Sequence, residues 1–253
     1  MSGQNAATRV HSVIAHAAAV DGQLPALEGL FELFHLGHLP ANAGSGRLAA
    51  QRMNLLLDQI DRIESGLRAA GVPAALWSNG LEQARTGFSP MLLGGAWQEV
   101  MRHFGPEVSL TLQWAAHVLP ADDGEVDQPL SGQMLLDIEE VQMLAEQIEL
   151  PEVLREFVTG HMHALQEGLR VSVISGLQPL RDAIKTVAGD LALRQDTLND
   201  AIAELDAEAR AVCNRVSTVV KKAMELVNLA SGAANARQKL GAASGNGLTL
   251  LAA

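Results

Sequence analysis

Between Asp190 and Gly232 apolar residues recur every three and four positions, with no proline or glycine in between. Leu191, Leu198, Leu205, Val212, Val219 and Leu226 form one register, and Ile202, Ala209, Val216, Ala223 and Ala230 the other. Gln195 is the one polar member of the series. A 3.5-residue period held this long predicts a single helix over about 190–231, capped by Asp190 and closed at Gly232. At ~1.5 Å per residue such a helix is roughly 60 Å long, more than the width of a compact domain of this size. It has to lie along a long bundle, project from one, or pair with a copy of itself. The series contains alanines where a two-stranded coil favours Ile or Val, and from Cys213 it widens through Val220 and Val227, which suits a helix packed in a bundle. If the seam instead meets a partner or a second copy, the contact residues are Leu198, Ile202, Leu205, Val212, Val216, Val219 and Leu226.

The rest of the chain reads in the same way. Nearly half of the 253 residues are hydrophobic, yet aromatics make up 3 % and tyrosine is absent. A core of Leu, Ala, Val, Ile and Met is a helical palette, since strands favour β-branched and aromatic residues. Helices are predicted over Ala6–Val20, after Pro25, over Arg47–Ala70, and over Ala74–Thr86, Pro90–His103 and Pro106–Leu119. Longer ones follow over Leu130–Glu149, after Pro151 and after Pro179. In Arg47–Ala70, Leu48, Met53, Leu56, Leu57, Ile60, Ile63 and Leu67 are expected inside, and Arg52, Asp58, Asp61, Arg62 and Arg68 outside. The fold class is therefore all-α: a multi-helix bundle, punctuated and short-helical in 1–120, with an acidic loop or boundary at 121–129. A second helical region spans 130–240 with the long helix in it, and the glycine-rich 241–253 is expected to be a flexible tail.

Charge excludes some functions. The net charge is −11. Residues 121–150 hold nine acids and no base, whereas 211–253 hold five bases and one acid. An acidic surface disfavours nucleic acid, whose affinity rests on neutralised phosphates. The acidic middle and the basic end are expected to attract each other, within one chain or between chains. The run Val108–Ala121 lacks charge but is too short and polar to span a bilayer, and two histidines break the only leader-like stretch. The basic, Ala- and Val-rich stretch Val212–Leu240 suits the surface of an anionic membrane, which makes a conditionally membrane-active effector the second reading. A single cysteine, Cys213, excludes an intrachain disulfide and any CxxC site, and suits a reducing cytoplasmic compartment.

Chemistry-bearing patterns are sparse. There is no GxSxG, HExxH or phosphate-binding glycine loop. His35 and His38, three apart, lack a third ligand nearby, and Asp122, Asp123, Glu125 and Asp127 lack the spacing of a calcium loop. No metal and no cofactor are expected. Trp77, Trp97 and Trp114 are expected to anchor short helices in a core, with an aromatic-lined pocket as the alternative. Arg155-Glu-Phe-Val-Thr-Gly-His161 resembles the catalytic signature of HEPN-type ribonucleases. That resemblance, which covers two residues, implies that His161 acts on a ribose hydroxyl while Arg155 holds the scissile phosphate, with two copies meeting in a dimer. The terminal Leu251-Ala252-Ala253 is similar to the end of the bacterial ribosome-rescue degradation tag. Taken together, the residues point to a bacterial scaffold, adaptor or regulatory partner that acts through protein–protein contacts, oligomeric if the long helix self-associates, and not to an enzyme.

Overall fold

The structure is a computed structural model, and it describes residues 4–34, 36, 43–121, 128–203 and 205–230. Among these every regular element is helical: α1 (Ala6–Ala17), α2 (Ala26–Leu33), α3 (Ala43–Ala69), α4 (Ser78–Gly87), α5 (Trp97–Met101) and α6 (Pro106–Val118) come first. Then follow α7 (Gln128–Gln147), α8 (Glu152–Ser175), α9 (Gln178–Leu193), α10 (Gln195–Ala203) and α11 (Ala207–Ala230). Single 3₁₀ turns at Ala74–Leu76 and Pro90–Gly94 precede α4 and α5. The chain divides into two compact units, one of residues 1–122 with 173–176, the other of 123–172 with 177–253.

In the first unit, α1 packs on α3 and α6, and α4 on α6. Asn5 links two helix ends. Its Oδ1 accepts from the Thr8 amide at 3.1 Å and so caps α1. Its Nδ2 donates to the carbonyls of Ala116 and Leu119 at 3.0 and 3.1 Å, where the last carbonyls of α6 lack partners within the helix. The end of α3 shows why Gly71 follows it. Gly71 has φ of 71°, and the Val72 amide reaches back to the Leu67 carbonyl at 3.0 Å, the six-to-one bond of a left-handed C-terminal cap. Trp97 ties three helices. It is fully buried, its Nε1 donates to the Ala17 carbonyl at 3.3 Å, and its indole lies against Gly29, where an added Cβ would sit 2.6 Å from the ring.

Arg52 corrects the expected outer face of α3. It is buried, as are Met53, Leu56, Ile60, Ile63 and Leu67. The reason is positional. Arg52 precedes Leu56 by four residues and shares its inward face, so the helix phase overrode the preference of charge for water.

The second unit is built on α7 against α11, and α9 also packs on α11. Met134, Ile138, Val141 and Ala145 of α7 meet Val212, Val216, Val219, Ala223 and Leu226 in one core. Its rim is electrostatic: Lys222 pairs with Asp137 and Arg215 with Glu140. The attraction between the acidic middle and the basic end is thus found within the chain.

Where the 3.5-residue period predicts one helix over 190–231, the described residues form three. α9 ends at Leu193, and Arg194 turns away with φ −107° and ψ 14°. Asp190 is not a cap; it lies within α9, and its carboxylate accepts from Arg194 Nε at 2.9 Å. The second break is a competing cap. Asp206 Oδ1 accepts from the Ala209 amide at 2.8 Å and so starts α11 afresh. The closing position Gly232 lies outside the described residues.

Acid is expected to loosen the α7–α11 contact. The hydrogen bond from Lys222, followed by that from Gln133, holds the Asp137 carboxyl below the usual aspartate range. A group whose folded pKa is depressed stabilises the fold above its unfolded pKa, and that contribution disappears as the pH falls through the folded value. Urea midpoints are expected to drop as the pH is lowered from about 5 to about 2. Asp137→Asn is expected to flatten part of that slope and to cost about 0.5–1 kcal/mol at neutral pH, the worth of a partly exposed pair. An unchanged slope in the variant would remove Asp137 from the explanation.

Candidate interaction surfaces

The α6 helix is apolar on two sides. Val108, Leu112 and Ala115 enter the core of the first unit, while Leu110, Trp114 and Val118 point outward, 65 %, 37 % and 36 % exposed. These three lie at i, i+4 and i+8, so they line one side of the helix. Trp77 and Trp97, in contrast, are buried, as expected of anchors. Trp77 Nε1 donates to the Val72 carbonyl at 3.2 Å, and the Arg68 guanidinium lies 5.8 Å from the Trp77 ring centroid. The expectation of a core role therefore fails for Trp114 alone.

Between α1 and α6, beside this strip, three polar side chains meet. His11 Nε2 lies 3.1 Å from Ser109 Oγ. Gln113 Nε2 lies 3.1 Å from the same His11 nitrogen and 3.2 Å from Ser109 Oγ. A hydroxyl beside an imidazole is half of an acyl-transfer site; the other half is a set of donors aimed at the oxyanion. Here the Gln113 amide closes the triangle, and the three groups satisfy one another as a latch between two helices. Sequence reasoning missed the cluster because His11 and Ser109 are 98 residues apart.

In the second unit the outward face of α7 carries Leu136 and Met143, 61 % and 57 % exposed. They are two turns apart, with exposed Gly132 and Gln147 in line with them and exposed Glu139, Glu140 and Glu146 at the sides.

The sequence-derived candidates take other places. Arg155 is exposed on the first turn of α8, and its Nη2 turns back to the Leu150 carbonyl at 3.5 Å. His161 is buried; its Nε2 lies 3.0 Å from Asp190 Oδ2 and its ring meets Phe157 edge-on at 4.3 Å between centroids. Six residues along one helix leave two side chains roughly 120° apart, so α8 directs the pair to different surroundings. His161 and Asp190 join α8 to α9. Of the seam residues, Leu198, Val212, Val216, Val219 and Leu226 are buried in the second core, with Ile202 and Leu205 packed against it. Cys213 is buried there too, and burial pushes its thiol pKa up, which keeps it protonated. His35, His38, the acidic positions 122, 123, 125 and 127, and residues 231–253 lie outside the described residues. Among the described ones, no group of three or more His, Cys, Asp or Glu is placed to hold a metal ion, and no helix is long and apolar enough to cross a membrane.

Comparison with protein-family models, with curated proteins and with solved structures finds no match.

Proposed function

We propose that this protein is an adaptor or regulatory partner that works by binding other proteins. The observation that carries the reading is the outward strip Leu110–Trp114–Val118 on α6. The opposite side of the same helix is buried, so the strip is not needed for the core of its own unit. Large apolar side chains aligned in water mark contact sites, and tryptophan is enriched among the residues that dominate binding energy. Leu136 and Met143 give the second unit an apolar strip of its own. A chain with one strip on each unit suits bridging two partners.

The alternative of self-association through the 190–231 seam requires Val212, Val216, Val219 and Leu226 to leave the core they now fill. For the membrane-surface alternative, Lys222 and Arg215 would have to release Asp137 and Glu140. The ribonuclease alternative has Arg155 and His161 engaged elsewhere, with Leu150 and with Asp190.

The test is site-specific photocrosslinking in the native cell. A benzophenone side chain at Leu110 or Leu136 is expected to give a discrete protein adduct, and the same group at exposed Glu28 none. Equal, diffuse labelling at all three positions would defeat the reading.

A further inference from the structure

We infer that the outward face of α7 docks a basic amphipathic helix of a partner protein. This rests on the reading of the chain as a protein-binding adaptor. Leu136 and Met143 are the open apolar residues of the face, two turns apart on one side of a 20-residue helix. An incoming helix meets such a strip with apolar residues spaced at i, i+3, i+4 and i+7. Methionine adapts its unbranched side chain to the partner it meets.

Charge selects the occupant. From Gln128 to Leu150 the chain has five acids (Asp137, Glu139, Glu140, Glu146 and Glu149) and no base. Asp137 lies to the α11 side, paired with Lys222. Glu139, Glu140 and Glu146 are exposed beside the apolar strip. Arg170 approaches Glu139 at 3.5 Å, Gln166 Nε2 donates to the same Glu139 oxygen at 3.4 Å, and Arg215 pairs with Glu140, yet both glutamates stay about half exposed. The second unit as a whole holds 19 acids and 11 bases, a net charge of −8. A second copy of this chain would bring Glu139 and Glu140 against their own equivalents, and like charges juxtaposed oppose association. A helix with lysines or arginines flanking a leucine stripe meets the opposite sign on both sides of the strip.

The experiment uses the full chain and a synthetic 21-residue peptide that forms a helix with one leucine stripe and lysine flanks. Controls are the same composition scrambled so that no stripe forms, and a version with glutamate flanks. The striped lysine peptide is expected to bind with an affinity that falls as salt rises. The double variant Leu136→Gln/Met143→Gln is expected to weaken it at least tenfold, and Glu139→Gln/Glu140→Gln/Glu146→Gln is expected to weaken it and flatten the salt dependence. All five positions are exposed, so circular dichroism is expected to show intact helices in both variants. The inference is overturned if the scrambled peptide binds equally well, if neither variant changes the affinity, or if the peptide does not bind. It is also overturned, in favour of a second copy, if light scattering shows a dimer that Leu136→Gln/Met143→Gln returns to monomer. A peptide that fails while benzophenone at Leu136 still gives a discrete adduct in the cell sinks the basic-helix occupant and leaves the adaptor reading standing.

Discussion

Trp97→Ala is expected to lower the stability of the first unit by about 3–5 kcal/mol, the range for truncating a large buried aromatic. Such a loss is a large share of the roughly 5–15 kcal/mol that holds a domain together. The size follows from what the indole does. It is fully buried, it fills the space that Gly29 leaves on α2, and its Nε1 satisfies the Ala17 carbonyl at the end of α1. The backbone at Gly95 and Trp97 is tied as well: the Trp97 amide donates to the Leu24 carbonyl at 2.8 Å, and the Ala26 amide to the Gly95 carbonyl at 2.9 Å. Three helices therefore lose their common contact at once. Urea unfolding followed by circular dichroism at 222 nm measures the change. A midpoint shift equivalent to less than about 1 kcal/mol, the scale of an ordinary surface substitution or below the mean core effect, would show that α1, α2 and α5 hold together without the indole.

Val216→Asp is expected to be the most damaging single change in the second unit. Val216 is fully buried in the middle of α11, facing a core of Met, Ile, Leu and Val side chains. An uncompensated charge in such a place costs on the order of 3–5 kcal/mol, and the loss of valine packing adds to it. The variant also separates two meanings of the 190–231 seam. If the seam is the interior of its own unit, helix content falls, and the unfolding midpoint is the same at low and high protein concentration. If the seam joins two chains, the variant dissociates them, helix content is largely kept, and stability of the parent protein rises with concentration. Because Trp77, Trp97 and Trp114 all belong to the first unit, tryptophan emission follows that unit while circular dichroism follows both. The internal reading is overturned by a monomeric Val216→Asp protein of unchanged helicity.

The helical class was legible because it rests on properties that every residue carries locally. Few aromatics, no tyrosine, abundant Leu and Ala, and apolar spacing near 3.6 residues all point the same way, and glycine and proline punctuate the first 120 positions. Gly71 shows how far local chemistry reaches: the helix that ends at Ala69 is closed by a left-handed residue, and glycine takes that conformation without steric cost. The division of the 190–231 stretch into three helices left a fainter mark. Hydrophobic periodicity does not register a cap, because the apolar side of α11 resumes in phase after the break. The available signal was Asp206 followed by Glu208, an N-cap residue with an acid in the first turn.

The surfaces were hidden for a different reason. On α6 the residues of both sides are apolar, so patterning cannot tell Val108, Leu112 and Ala115, which enter the core, from Leu110, Trp114 and Val118, which do not. Arg52 misled in the opposite sense, since its charge suggested water and its place on α3 put it inside. Likewise His11, Ser109 and Gln113 come together only because α1 packs along α6. The amino-acid sequence by itself determined the helical class, much of the inward pattern and the opposite charges that α7 and α11 bring to their contact. Only the tertiary structure decided which apolar residues are left over. Helix formation depends on neighbours three and four residues away, whereas exposure depends on which distant helices cover a given side.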